Sequence, residues 1–286
     1  MTERETMKRY WLDSRGTWWR LFILLVLNVN PGWPAFSDAP LSTAPLGMGY
    51  ATTAVTENIH AIYTNPAALA QMYGMAASMD YTQRYGLSEL AHTQIMGAVS
   101  TNLGAIGLSY NQLGEDLYQE RLVVGTYAYE VRHDLSLGLS LRGYQLDVAQ
   151  YGESTTFGVD AGILLRPRPE VRLGFKAHNL NRPEIGVTHD PLPHSLTLGV
   201  AYVPRSNVVV GIDAFKDLDF PISYRAGVEY KPVPALALRA GVQTEPGQFS
   251  VGAGFYHRFL QIDYARVSHP KLGETNYWGL MIHWAE

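Results

Sequence analysis

Cysteine is missing from this chain, positive charge is not in excess, and no apolar run is long enough to cross a bilayer as a helix. The first absence excludes a disulfide framework, a thiolate metal site and a lipid-modified cysteine. The second excludes a nucleic-acid partner: 22 Lys and Arg stand against 26 Asp and Glu, a formal net charge of -4, whereas phosphate binding needs a basic surface. The third concerns the run from Leu21 to Val29, which falls short of the about 20 apolar residues a spanning helix requires. Missing too is the period-3.6 stripe of an amphipathic helix, from Gly74 almost to the end.

What is present is glycine (27) and tyrosine (18) in a chain of 286 residues, enough for one large domain or two modest ones. That composition is common among bacterial envelope barrels. At the start, "MTERETMKRYWLDSRGTWWR" carries basic residues, "LFILLVLNV" is an apolar core, and "PAFSDAP" places Ala35 and Ser37 at small-residue cleavage spacing. Residues 1–37 therefore read as a secretory signal, with Met7 a second candidate start.

From Gly74 onward the pattern has period two. "LSLGLSLRGYQ" sets Leu135, Leu137, Leu139 and Leu141 against Ser136, Gly138, Ser140 and Arg142; "FGVDAGILL" sets Phe157, Val159, Ala161, Ile163 and Leu165 against Gly158, Asp160 and Gly162. "VRLGFKAH" and "ISYRAGVEYK" repeat it. The fold class is all-β, with about fourteen strands near 74–82, 91–100, 103–113, 120–131, 135–146, 155–166, 170–178, 195–203, 207–215, 222–231, 235–243, 248–256, 259–267 and 276–284. Alternation alone suits a soluble sandwich and a membrane barrel equally.

The connections discriminate. Long gaps ("RYGLSEL", "LGEDLYQ", "DVAQYGES", "NLNRPEIGVTHDPLPH", "KDLDFP", "TEPGQ", "SHPKLGETN") alternate with tight ones, as expected of a transmembrane antiparallel β-barrel with short turns on one side. Arg132, Arg166, Arg168, Arg205, Lys231 and Arg258 lie by the tight turns, while the longer loops hold Glu115, Asp116, Asp147, Glu153, Asp190, Asp217, Asp219, Glu245 and Glu274. The last strand, "YWGLMIHW", puts Trp278, Leu280, Ile282 and Trp284 on one side, and Tyr81, Tyr110, Tyr202, Tyr230 and Tyr264 fall near strand ends, where interfacial girdles belong. Closure has a physical motive, because hydrocarbon offers no partner to an unpaired backbone group.

The segment "LGMGYATTAVTENIHAIYTNPAALAQM" ahead of the strands resembles the start of outer-membrane barrels of the FadL/PorV type, in which a Leu-Gly-Met-Gly run and an Asn-Pro-Ala motif precede a fourteen-stranded barrel. "HNLNRPEIG", "LPHSLTLGVAY", "YRAGVEYKP", "LALRAGVQTEPGQFSVGAGF" and "QIDYA" resemble the PorV/PorQ branch. The resemblance implies a signal over 1–37, a small N-terminal hatch or plug inside the lumen over 38–73, and an outer-membrane barrel over 74–286 of a Gram-negative-type bacterium. The hatch motif is Gly47, Met48, Gly49, Asn65, Pro66 and Ala67, with a short helix near Asn58 to Tyr63. Gly47 and Gly49 allow a tight turn and close approach to the wall, and Asn65 suits an Asx-type turn ahead of Pro66. Where the family has an acidic pair this chain has Glu57-Asn58, so no role resting on paired carboxylates carries over.

The polar residues expected to line the lumen are His92, Gln94, Asn111, Arg142, Asp160, Arg172, Lys176, Arg225, Glu229, Arg239 and Asp263. Charges of both signs there read as a salt-bridged filling or as the wall of a narrow path. No serine or histidine sits in a recognisable catalytic motif, and His178, His189, Asp190 and His194 match no metal-ligand spacing. No enzyme activity, metal or cofactor is expected. The partners expected are outer-membrane lipid with either of two further classes. FadL resemblance implies a small hydrophobic ligand taken up passively; PorV/PorQ resemblance implies exported proteins and secretion-system components.

Overall fold

The computed structural model describes residues 35–36, 41–55 and 58–284. Apart from Ala35 and Phe36, the expected signal segment lies outside the described residues, as does Glu57. The first half of the chain forms β1 Met75–Gln83, β2 Ala91–Thr101, β3 Gly104–Glu115, β4 Tyr118–Arg132, β5 Leu135–Val148, β6 Gly152–Arg168 and β7 Val171–His178. Two short strands, β8 Glu184–Ile185 and β9 Asp190–Pro191, pair within the longest connection. The second half forms β10 Ser195–Arg205, β11 Val208–Asp217, β12 Ser223–Val233, β13 Leu236–Gln243, β14 Gln248–His257, β15 Leu260–His269 and β16 Gly273–Trp284. Apart from β8 and β9, these strands form one closed antiparallel barrel of the fourteen strands the alternation predicts, with ends differing by at most three residues.

Alternation decides which face goes where. Along β1 exposed and buried residues alternate without a break; on β5, Leu137, Leu139 and Leu141 are exposed while Ser136, Ser140 and Arg142 are buried. The apolar face thus points outward and the polar face inward, the reverse of a soluble sandwich and the arrangement a bilayer demands. The barrel closes where β1 meets β16, in register from Met75 opposite Trp284 to Thr82 opposite Tyr277. Register shifts occur only beside four of the tight turns, so the wall itself is unbroken.

The six tight turns are two residues each. On the opposite rim three of the gaps expected to be long are nearly as short, because the ladder runs into them: Glu115 pairs with Tyr118, Val148 with Gly152 and His269 with Gly273. Gly152 and Gly273 turn the chain at φ 90° and 86°. Only the connections over 84–90 and 179–194 remain extended. The longer strands also shift the aromatics. Tyr264, Trp278 and Tyr81 form an outward row across β15, β16 and β1, some way in from the strand ends, with the first two rings 4.8 Å apart. Tyr127, Tyr129, Tyr202, Tyr230 and Trp284 face outward near the tight-turn rim.

Burying an arginine in hydrocarbon is costly near the bilayer midplane and cheap at its edge. Leu141→Arg, on the outer face of β5, should therefore destabilise the barrel by about 2–4 kcal/mol, and Leu103→Arg in a tight turn by about 1 kcal/mol or less. Equilibrium folding into phospholipid vesicles in urea measures both.

Candidate functional site

Residues 41–55 and 58–72 lie inside the barrel. They form helix α1 Thr43–Gly47, helix α2 Ala61–Thr64 and a 3-10 run Pro66–Gln71, and among those described only Val55, Asn58 and Ala70 are not fully buried. The helix expected at Asn58 begins later, because the Asn58 side chain accepts the His60 N–H at 3.0 Å and favours a local turn. Pro66 opens a second helical run rather than only ending the first. Asn65 is extended (φ -164°, ψ 110°), as a residue before proline prefers, and its Oδ1 accepts the Ala67 N–H at 3.1 Å.

The path of this segment is written in the wall. Gly47 meets Gly252 of β14; Met48 and Gly49 meet Gly241 and Gly227 on β13 and β12; Ala51 meets Gly211 on β11. Thr53 meets Gly199 and Gly174 on β10 and β7, and Asn65 to Ala67 meet Gly162 and Gly138 on β6 and β5. A methyl group at Gly211 or Gly138 would overlap the segment's own backbone, so backbone lies against backbone only because these positions lack a Cβ. Gly49, at φ 60°, makes the turn that allows this.

Polar anchors hold the same path. Asn65 Nδ2 donates to the carbonyls of Thr53 (2.9 Å) and Ile163 (3.1 Å), joining two parts of the segment to β6. Asp80 on β1 accepts the Thr43 N–H at 2.9 Å; Asp213 on β11 accepts the Thr53 N–H at 3.0 Å and its hydroxyl at 2.7 Å. Gln71 donates to Ser136 at 2.6 Å. Asp80 and Asp213 are absent from the lining expected from the sequence, whereas Gly138 and Gly162 already stand on its polar face. The period-two rule that selects Asp160 would have selected both aspartates.

The eleven polar residues expected in the lumen project inward and fall into local groups. Arg142 Nε donates to Asp160 at 2.5 Å; Asp160 also meets His178 Nδ1 at 2.8 Å and accepts the Asn179 N–H at 2.9 Å. Lys176 donates to the Tyr63 carbonyl at 2.8 Å, and Asn111 and Ser109 bond the Tyr63 hydroxyl. On the far wall Arg239 joins Glu229 and Asp263, each at 2.6 Å. Arg225 stacks over Phe215 at 3.9 Å, Arg172 reaches the Val55 carbonyl at 3.4 Å, Gln94 binds Ser42 at 3.1 Å, and His92 meets Arg84 at 3.2 Å. These charges are paired fillings between strands and segment, not a ring around an open bore.

The Asp160–His178 pair looks like half of a catalytic triad, but the second imidazole nitrogen faces Asn179 Nδ2 at 3.2 Å, where a nucleophile would stand. Among the described residues no three acidic or histidine side chains converge on a metal position. His189 is exposed beside Glu184, and His194 meets Arg182 at 3.2 Å. Burial, then the Arg182 charge, hold the His194 imidazole below its ordinary pKa.

Apolar clusters complete the interior: one joins Leu46 and Tyr50 of the segment to Ala265 and Val267 of β15, and two others accompany it. The larger gathers Ile59, Ile62, Leu69 and Met72 of the segment with Ala76, Met96, Ala98, Val124 and Leu164 of the wall. The smaller lies under the longest connection, where Phe36 is enclosed by Tyr144, Ile185 and Leu192, with Leu122 and Leu146 beside it; Leu122 belongs to both clusters. Outside, an apolar groove of about 530 Å³ runs along β1 to β3 between Met75, Gly97, Leu108 and Trp284, and Ala76 and Ala98 belong to both the groove and the larger cluster.

Two consequences can be measured. Gly211→Val should leave the barrel closed while pushing Ala51 off the wall, so that protease cuts within residues 44–70 much faster than in the parent. Asp160→Ala breaks the buried ion pair with Arg142 and should cost about 3–5 kcal/mol of stability, read from urea unfolding in detergent.

No family model matches this chain, and no curated protein does. Solved structures do. The CymD monoaromatic hydrocarbon channel superposes with a TM-score of 0.66 at 15% identity, over 88% of this chain and 100% of that one. The Ralstonia pickettii toluene transporter TbuX gives 0.66 at 14%, over 87% and 100%. A Pseudomonas aeruginosa FadL homologue gives 0.59 at 14%, over 85% and 98%. At such identities the likeness is one of fold: this chain is a FadL-like fourteen-stranded barrel.

Proposed function

We propose that this chain is an outer-membrane barrel for the passive passage of small hydrophobic molecules, gated by the segment that fills its lumen. The observation that carries this is the filling itself. A barrel with an apolar outer face and a lumen occupied by a length of its own chain is a gated conduit and not an open porin. The segment presents apolar side chains to the wall over Ile59 to Met72, which gives an apolar solute a surface to follow once the segment shifts. A side exit into the bilayer would fit best at β1 to β3, where Ala76 and Ala98 separate the inner cluster from the outer groove by one wall of small residues. The structural neighbours described as hydrocarbon and toluene transporters support the same reading by analogy of fold.

The alternative, an accessory of a protein-secretion system on the PorV/PorQ pattern, rests on the sequence pieces quoted above. An accessory of that kind needs an outward docking surface. Here five of the seven connections on the longer rim hold no more than five residues. Passage is therefore the better supported function.

Asn65 is the joint of the gate, since one side chain ties Thr53, Ala67 and β6 together. Replacing Asn65-Pro66 with Ala-Ala should loosen the segment and raise small-solute leakage several-fold in a swelling assay of reconstituted vesicles. A folded, heat-modifiable variant with unchanged leakage would retire the gate.

A further inference from the structure

Three neighbouring hairpins on the tight-turn rim share one sequence device. "LRPRP" at the end of β6, "YVPRS" at the end of β10 and "YKPVP" at the end of β12 each place a proline one residue before the strand's last position. The register slips at each, between Leu165 and Arg168, Tyr202 and Arg205, and Tyr230 and Val233. Proline brings no N–H to the ladder, so the strand bulges and the residue after it is re-aimed. On two adjacent hairpins that residue is an arginine. Arg168 and Arg205 are exposed, and among the described residues neither has a carboxylate partner, whereas Arg132, Arg166 and Lys231 on the same rim meet Asp134 at 2.7 Å, Glu130 at 3.4 Å and Glu229 at 3.4 Å.

The two turns are fastened to their neighbours. The Glu170 carbonyl accepts the Val203 N–H at 2.8 Å and the Asn207 carbonyl accepts the Lys231 N–H at 2.8 Å, which fixes the spacing of the arginine-bearing turns. Val171 pairs with Arg168 on one side and Tyr202 on the other, so the arginines flank Tyr202, an exposed ring on the outer face. Next to it, further into the membrane, Leu165, Leu173 and Val200 form one lipid-facing row across three strands. We propose that Arg168 and Arg205 hold the phosphate of an anionic glycerophospholipid in the leaflet on the tight-turn side, with Tyr202 at the headgroup boundary and the acyl chains on the row beyond. Guanidinium groups match phosphate oxygens two at a time, and tyrosine suits the interface because one end is apolar and the other polar. A free anion would gain only the two arginines, which water and salt screen within about 8–10 Å; a lipid gains the apolar row as well. Glu170, in the same turn as Arg168, makes no ion pair among the described residues and weakens the site by its charge. The site lies outside the lumen and is independent of what the barrel passes.

Phosphatidylglycerol, phosphatidylcholine with the same chains, and the chain-free glycerophosphoglycerol headgroup are the probes. Each is titrated into the detergent-purified barrel, and the molecules retained are counted by native mass spectrometry. The parent is compared with Arg168→Gln/Arg205→Gln, and with Arg132→Gln/Lys231→Gln, which removes the same charge from the same rim; heat-modifiability checks that each is folded. The expected result is retention of phosphatidylglycerol over phosphatidylcholine, a preference that falls about fivefold for each arginine lost in the first variant and much less in the second. Equal retention of the two lipids by the parent overturns the site, as do equal losses in both variants, which would leave only a diffuse rim charge. Headgroup binding as tight as that of the lipid overturns the lipid assignment. Because the chain has no cysteine, Ser206→Cys beside Arg205 gives a single label that reports the side of the membrane. A maleimide too large for porins should reach it in broken cells and not in intact ones; labelling of intact cells overturns the leaflet assignment.

Discussion

Closure of the sheet is the constraint on which everything else here depends. Hydrocarbon cannot hydrogen-bond a strand edge, so the first strand must find the last, and β1 pairs β16 along its length through Met75 to Thr82. Once the sheet is closed, inside and outside are decided by the period-two pattern alone. The leucines of β5 go to lipid, and the serines, glycines and charges go to the lumen. Fourteen strands enclose an interior wider than their own side chains can fill. That width is why the stretch from Leu41 to Met72 can lie within.

Filling the lumen sets up a second constraint. A backbone laid against a β-wall needs partners for its polar groups and room for its atoms. The glycines of β5, β6, β7 and β10 to β14 supply the room; Asp80, Asp213 and Asn65 supply the partners. The buried charges follow the same logic. Arg142 with Asp160 and Arg239 with Glu229 are satisfied between neighbouring strands, and Asp263 reaches Arg239 across β14, because an unpaired charge in this interior would be expensive. A lumen sealed by many short contacts differs from one sealed by a continuous hydrophobic core. Its contacts around Asn65 and Gly49 converge on a few residues.

The strands were legible because their pattern is local. "LSLGLSLRGYQ" alternates whatever its partner is, and the fourteen spans, the antiparallel order and the inward set that includes Arg142 and Asp160 follow from it. The loop lengths were less legible. Tyr118, Val148 and Gly273 carry the ladder further than turn-like residues nearby suggest, since pairing with an adjacent strand overrides local preference. The aromatic row of Tyr264, Trp278 and Tyr81 moved inward from the strand ends for the same reason.

The amino-acid sequence by itself determined the closed all-β barrel, its polarity from face to face, and the presence of a distinct segment ahead of it, because each is encoded in residue spacing along one stretch of chain. Only the tertiary structure decided which glycines meet which backbone, which charges pair, and that Phe36 sits against Tyr144 beneath the β8–β9 hairpin. Those are contacts between residues more than a hundred positions apart in many cases, and no periodicity carries them. They exist because closing the sheet brings every strand within reach of the same narrow interior.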